Sequence, residues 1–141
     1  MIVYAESSAV LSWLLGEERG EAVRDLLHGA EVVVTSDLTL IECDRAFLRA
    51  IALKQVTEAG AADHRADLNA AAVGWQVLQI GPEIVERARR PFPGDPIRAL
   101  DAVHLASALV ARQALPGLEL VALDQRIRST GRTLGLRVLP A

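Results

Sequence analysis

Arg98-Ala99-Leu100-Asp101-Ala102-Val103-His104-Leu105-Ala106-Ser107-Ala108-Leu109 is an apolar, alanine-rich stretch that reads as a helix with one carboxylate in its first turn. Just upstream, Asp95-Pro96 reads as an N-cap followed by a proline at the first helical position. Asp101 has two readings. It is either a first-turn acid that complements the helix dipole, or one ligand of a cation held together with acids from elsewhere in the chain. The choice depends on where the other acids fall.

Working outward from this helix, residues 118–123 read as a strand with Asp124 at its C-terminal end. Residues 125–134 read as a short basic helix stopped by Gly135, and 136–139 as a last strand. On the other side, Pro91-Phe92-Pro93-Gly94-Asp95-Pro96 is a loop, too short to separate domains. Pro82 starts a helix holding Ile84, Val85 and Ala88. It ends in Arg87, Arg89 and Arg90, which suit a helix C-terminus and are also candidate phosphate contacts. Residues 77–80 read as a strand and 57–72 as an alanine-rich helix, on which Asp63, His64 and Asp67 form a solvated face with nothing apolar framing it.

Ser36 reads as the cap of a long helix over 37–53, with Leu38, Ile41, Leu48 and Ala52 as its core stripe. Glu42 falls beside that stripe, where it either pairs with Arg45 and Arg49 or faces a site. Residues 31–35 form a valine-rich strand. A polar helix over 18–28 precedes it, with Val23, Leu26 and Leu27 inward. At the start, 2–4 is a buried strand followed by Glu6. Ser7 and Ser8 then cap an apolar segment over 9–15 whose Trp13 belongs to the core or to a dimer interface. Strands alternating with helices imply an α/β fold, a three-layer α/β/α arrangement with a mostly parallel central sheet, in one domain over residues 1–141.

Composition agrees with this. Hydrophobic residues make up 51% of the chain but aromatics only 4%, so the core is aliphatic and alanine-filled, which favours helices on a sheet over a β-sandwich. Cys43 is the only cysteine, so no intrachain disulfide forms; it reads as a small buried side chain. No secretory signal pattern and no apolar run of about 18 residues is present, and the expectation is a soluble, cytoplasmic protein without membrane contact. The net charge of -3 argues against a salt-driven nucleic-acid coat protein. Its distribution is uneven: residues 1–82 carry 6 basic and 12 acidic side chains, and residues 83–141 carry 9 and 6.

In open parallel sheets, ligand sites form beyond the carboxyl ends of the strands. Glu6 and Asp124 each follow a strand directly, and Glu42 and Asp101 sit in first turns of helices that can begin at that edge. Four carboxylates from four separate segments are thus expected in one cleft. Such a cluster is unfavourable unless a cation or bound protons relieve it. With no Cys or His cluster among the ligands, the hard oxygen donors suit Mg2+ or Mn2+ better than Zn2+.

The segments 2–9 (Ile-Val-Tyr-Ala-Glu-Ser-Ser-Ala), 35–42 (Thr-Ser-Asp-Leu-Thr-Leu-Ile-Glu) and 97–106, together with Val121-Ala122-Leu123-Asp124 and Gly135-Leu136, in this order and spacing, carry a resemblance over nearly the whole chain. The sequence resembles the PIN-domain ribonucleases, particularly the VapC-type toxins of toxin–antitoxin pairs. Two positions depart from the family pattern. Glu6 stands where an Asp is usual, moving the carboxylate outward by about one carbon–carbon bond in a site where Mg2+ geometry is exacting. Ala122 stands where Thr or Ser is frequent, removing a hydroxyl.

The resemblance implies single-stranded RNA as substrate, one or two divalent ions (Mg2+ or Mn2+), and hydrolysis to a 5′-phosphate and a 3′-hydroxyl. It also implies a cognate VapB-type antitoxin whose C-terminal segment covers the acidic groove, and a homodimer. The acids predict the same chemistry, because a metal lowers the pKa of a water and stabilises charge on the phosphate and leaving oxygen. Glu6, Glu42 and Asp101 are assigned as main ligands, with Asp124 holding a second ion or orienting a water.

Ser8 is either a contributor to the site or a helix cap, and Arg98 either contacts substrate or pairs with Asp101. His104, one turn after Asp101, reads as a packed helix residue with general-base work as the alternative. Two other classes compete. One is a catalytically weak module of the same fold that binds RNA or antitoxin. The other is a phospho-acceptor receiver-like domain, disfavoured because the only lysine, Lys54, lies mid-chain.

Overall fold

The computed structural model describes residues 1–141. The elements run β1 (Ile2–Ala5), α1 (Ser7–Leu14), α2 (Gly20–Gly29), β2 (Val32–Ser36), α3 (Asp37–Ala52), α4 (Glu58–Ala72), β3 (Gln76–Leu78), α5 (Pro82–Ala88), α6 (Ala99–Ala114), β4 (Glu119–Val121), α7 (Gln125–Thr133) and β5 (Val138–Leu139). The five strands form one sheet in the order β3-β2-β1-β4-β5, and every pairing is parallel. This is the expected three-layer α/β/α fold. None of the helices is long and apolar enough to cross a membrane.

Successive side chains of a strand point to opposite faces, and the chain uses both. Val3, Ala5, Val33 and Val121 pack with Val10, Leu14, Val23, Leu27, Phe47 and Leu68 under α1–α4. Tyr4, Val34, Leu120 and Ala122 pack with Ile84, Leu105, Ala106, Ala108 and Ile127 under α5–α7. The outer helices come close because their contact residues are small. At Gly131 of α7 an added Cβ would lie 2.7 Å from a Leu120 methyl. The sheet grows from β1 towards β2 and β3 on one side and through β4 to β5 on the other. The switch in strand order therefore lies at the C-terminal ends of β1 and β4, where open α/β sheets open a crevice.

Several local expectations are corrected. Ile41 and Leu48 are 56% and 53% exposed, and α3 buries Thr39, Cys43, Phe47 and Ala50 instead, which also recur at helical spacing. Glu42 is in the second turn of α3, not the first, and Asp37 is the first-turn acid. Asp95 does not cap α6. Its carboxylate accepts from the Phe92 and Ile97 N–H groups at 2.7 and 3.3 Å and closes the loop, so the helix starts at Ala99 with Arg98 at the N-cap position. Ser7 and Ser8 lie inside α1, and Glu6 occupies its N-cap position without capping through its side chain. Ser36 makes no side-chain cap either, because its hydroxyl accepts from Tyr4. The His64 ring lies against Phe47, 5.8 Å between centroids, so an apolar neighbour does frame that face of α4.

Candidate active site

Glu6 is carried to the sheet edge by β1, and its own N–H donates to the Val121 carbonyl at 2.9 Å, fixing the start of α1 beside the end of β4. The carboxylate is buried and accepts from both serines that follow it: Ser7 at 2.7 Å through Oε1, and Ser8 through Oε2. The Ser8 hydroxyl accepts in turn from the Leu123 and Asp124 N–H groups at 2.9 and 3.0 Å. Ser8 thus joins Glu6 to the backbone that carries Asp124. Of its two expected roles, helix cap or member of the site, the Ser8 side chain takes the second, for it caps nothing in its own helix.

Glu42 comes from α3 and meets Glu6 through Ser7, whose Oγ lies 3.0 Å from Glu42 Oε1. Ser7 has one proton, so at any moment it donates to only one of the two carboxylates. The stronger link is to His104: its Nε2 contacts Glu42 Oε1 and lies 3.7 Å from Glu6 Oε1. Because a carboxylate only accepts, Nε2 carries a proton in this bond. On the other side of the ring, Nδ1 lies 3.4 Å from the Tyr4 hydroxyl, which donates to Ser36 Oγ at 3.1 Å. Glu42 makes no pair with Arg45 or Arg49.

Asp101, also buried, turns both oxygens to Arg98, whose Nε and Nη2 donate at 3.0 and 3.3 Å. The same guanidinium reaches Asp124 Oδ2 at 3.6 Å. Asp124 spends its other oxygen as the cap of α7, accepting from the Arg126 and Ile127 N–H groups at 2.9 and 3.2 Å. The four acids therefore stand as two linked pairs. Glu6 and Glu42 share Ser7 and His104, while Asp101 and Asp124 share Arg98.

The electrostatics follow from these contacts. Burial pushes the Glu42 carboxyl up, but the hydrogen bond and charge of His104, the Ser7 bond and Arg98 outweigh it, and the net pKa lies below the ordinary value. Burial raises the Tyr4 hydroxyl to about 12, against the opposing effect of its hydrogen-bond partners. Burial raises the Cys43 thiol to about 12 as well, helped by the charges of Glu42, Glu6 and Asp44, so it stays a neutral core side chain. The hydrogen bond and charge of Asp101 raise Arg98.

One atom each from Glu6, Glu42 and His104 lies within 4.8 Å of the others; with Nε2 protonated, His104 positions the carboxylates, and the Glu6 and Glu42 oxygens are the ones that would face a divalent cation. Oxygen donors dominate the wider cluster, which suits Mg2+ or Mn2+. Ser7, read as a helix cap, and Tyr4 are participants that motif reading missed, and His104, read as a packed residue or a general base, holds Glu42 instead. His104 had a signal, since three residues after Asp101 on the buried side of a helix it must face the same way. Ser7 and Tyr4 had none, because the contacts that tie them to the site, with Glu42 and His104, come from α3 and α6.

Chemically, the arrangement offers hard oxygen ligands, a buried imidazole that orients one of them, and an arginine at the rim. A family model for the PIN domain matches residues 3–133. Ribonuclease VapC49 of Mycobacterium tuberculosis is 28% identical over 140 residues, covering 99% of this chain and 96% of that protein. Two solved structures share the architecture. VapBC2 from Rickettsia felis, bound to a DNA fragment from its promoter, has a TM-score of 0.64 at 10% identity and covers 98% of this chain and 97% of that one. Mycobacterium tuberculosis VapC20, described as a sarcin-ricin loop cleaving toxin, has a TM-score of 0.60 at 19% identity and covers 92% and 95%. With the matched family model spanning nearly every element of the fold and all four acids inside its limits, the chain belongs to the PIN-domain family.

Proposed function

We propose that this chain is a metal-dependent endoribonuclease, the toxin of a toxin–antitoxin pair, which hydrolyses RNA phosphodiesters at Glu6, Glu42, Asp101 and Asp124. The observation that carries the reading is the linkage of acids from four segments: Glu6 and Glu42 share Ser7 and His104, Asp101 and Asp124 share Arg98, and Ser8 joins Glu6 to the backbone of Asp124. The curated relatives at 28% identity are ribonucleases over nearly their whole length, which supports the activity. Solved complexes of the same fold with VapB proteins support a VapB-type antitoxin as partner.

Glu6, Glu42 and Asp101 would hold the cation, with Asp124 assisting. A divalent cation there supplies charge neutralisation for the phosphate and acidifies a water. The chain's own residues do the rest. His104 holds the Glu42 carboxylate in one orientation, and Ser8 ties Glu6 to the Asp124 segment. Arg98 is 60% exposed at the rim, within reach of an incoming phosphate once it leaves Asp124. A second reading, a weakly catalytic module that binds RNA or antitoxin, draws on one observation: Arg98 already engages both Asp101 and Asp124.

The test is cleavage of a mixed structured-RNA pool by the purified, antitoxin-free protein in Mg2+ or Mn2+, beside EDTA and Asp101→Asn controls. Metal-dependent cutting lost in both controls is expected. Absence of cutting, with no divalent-ion binding by calorimetry, would overturn it in favour of the binding module.

A further inference from the structure

We propose that the groove between the 93–98 loop and α7 holds the phosphodiester backbone of the RNA strand next to the scissile site, with Arg126 as its anchor. The groove has a volume of about 690 Å3, and both Arg98 and Asp101 belong to its lining, so it opens directly onto the acid cluster. It lies within the size range of pockets that hold small ligands.

One wall is Pro96 and Ile97, held in place by the two bonds from the Asp95 carboxylate. The other is a face of α7, on which Arg126, Ser129 and Thr133 recur at helical spacing and all stand exposed. From Gln125 to Thr133 this face runs about 12 Å away from Asp124. Arg126 forms no ion pair within the chain, whereas Arg98 is held by two carboxylates. Arg126 is therefore the cation free to meet a phosphate, and the hydroxyls supply neutral donors along its path.

The lining chemistry selects the ligand. It contains no aromatic side chain, so bases have no ring to stack on, and Ile97 is the only large apolar side chain, so an antitoxin peptide finds few anchors. A charged, hydroxyl-lined trough without stacking surfaces fits a sugar-phosphate strand read through its backbone.

This inference rests on RNA being the substrate, and its test separates the two. A fluorescent, uncleavable 2′-O-methyl oligoribonucleotide of mixed sequence is titrated in EDTA with the full chain and with Arg126→Gln, Arg126→Lys and the distant Arg24→Gln. Thermal melts establish that each variant folds. Arg126→Gln should weaken binding about threefold at low salt and reduce the slope of log K against log salt by about 0.7, the share of one phosphate on a single strand. Arg126→Lys should keep the slope, and Arg24→Gln should change nothing.

Equal binding by Arg126→Gln and the parent overturns the groove, and so does an oligonucleotide that fails to bind the parent. An Arg126→Gln defect confined to antitoxin binding overturns it in favour of a peptide. Loss of RNA cleavage in Asp101→Asn, measured in parallel, reports on the nuclease reading alone. Arg126-dependent binding by a chain that never cuts would leave the groove standing and the nuclease reading refuted.

Discussion

Replacing His104 with alanine tests whether the buried imidazole holds Glu42 in place. A hydrogen bond to a charged group contributes about 1.5–3 kcal/mol, and the Glu42 side chain is 29% exposed, so water recovers part of the loss and the lower end applies. The vacated ring adds a cavity term of about 1–2 kcal/mol, because His104 is 1% exposed among Tyr4, Ser7 and Leu105. Urea unfolding in EDTA should show a loss of about 3 kcal/mol for His104→Ala, and less for His104→Gln, whose amide keeps a donor. In a cycle with Glu42→Ala, the two changes should couple by about 1–1.5 kcal/mol, since both remove the same bond. Calorimetry should show Mn2+ affinity falling by about 10-fold or more in His104→Ala, the usual consequence of removing a group that orients a ligand. Coupling below about 0.3 kcal/mol with unchanged Mn2+ affinity would refute the reasoning, because Glu42 would then be placed by α3 alone.

Ser8→Ala leaves the Leu123 and Asp124 N–H groups without their acceptor and should lower stability by about 1–3 kcal/mol in urea unfolding; an unchanged midpoint would show that water replaces the hydroxyl. Arg128 is buried, and its guanidinium donates to the carbonyls of Ala122, Leu139 and Pro140 at 2.7, 3.3 and 2.7 Å. Arg128→Met should therefore cost about 2–4 kcal/mol, and a variant as stable as the parent would mean that β4 and β5 need no such tie. Cys43 is raised from 9.0 and Tyr4 from 10.0, each to about 12, so both favour the folded state while neutral. Their contribution is full below pH 9 and is lost as pH rises towards 12, by about 1.4 kcal/mol per unit for each group. Unfolding in EDTA between pH 8 and about 11 should show this decline, shallower in Cys43→Ala; identical slopes would remove the thiol from the account.

The order of elements was legible because the strands are short apolar runs and the helices are longer, with α4 and α6 rich in alanine. The positions of Glu6 and Asp124 followed from it, since a residue just past a parallel strand must lie at the carboxyl edge. The inward face of α3 was not legible. The stripe of Leu38, Ile41 and Leu48 competes with that of Thr39, Cys43, Phe47 and Ala50, and the second is buried because it is the one that faces α1, α4 and β2. Periodicity identifies a stripe, but where two stripes compete, the elements that pack against the helix decide which one faces the core. The start of α6 failed for a related reason. Asp-Pro is a sound helix-start signal, and only the loop geometry shows that the Asp95 carboxylate is already used by Phe92 and Ile97.

Counting carboxylates leads to an external cation, because four like charges cannot share a cleft unrelieved. The folded chain offers two relieving groups of its own, and they differ in how firmly they are held. His104 is sealed between Tyr4 and Glu42, so moving it would leave Glu42 without its donor and open a cavity. Arg98 is 60% exposed, and a guanidinium already facing water loses little by turning away from Asp101 and Asp124. The Glu6–Glu42 half of the site is therefore fixed by the core, while the Asp101–Asp124 half is the exchangeable one. On the proposed function, an incoming cation would compete there with Arg98 for carboxylate oxygens, and an incoming phosphate would compete with the carboxylates for Arg98, so the two displacements would favour one another.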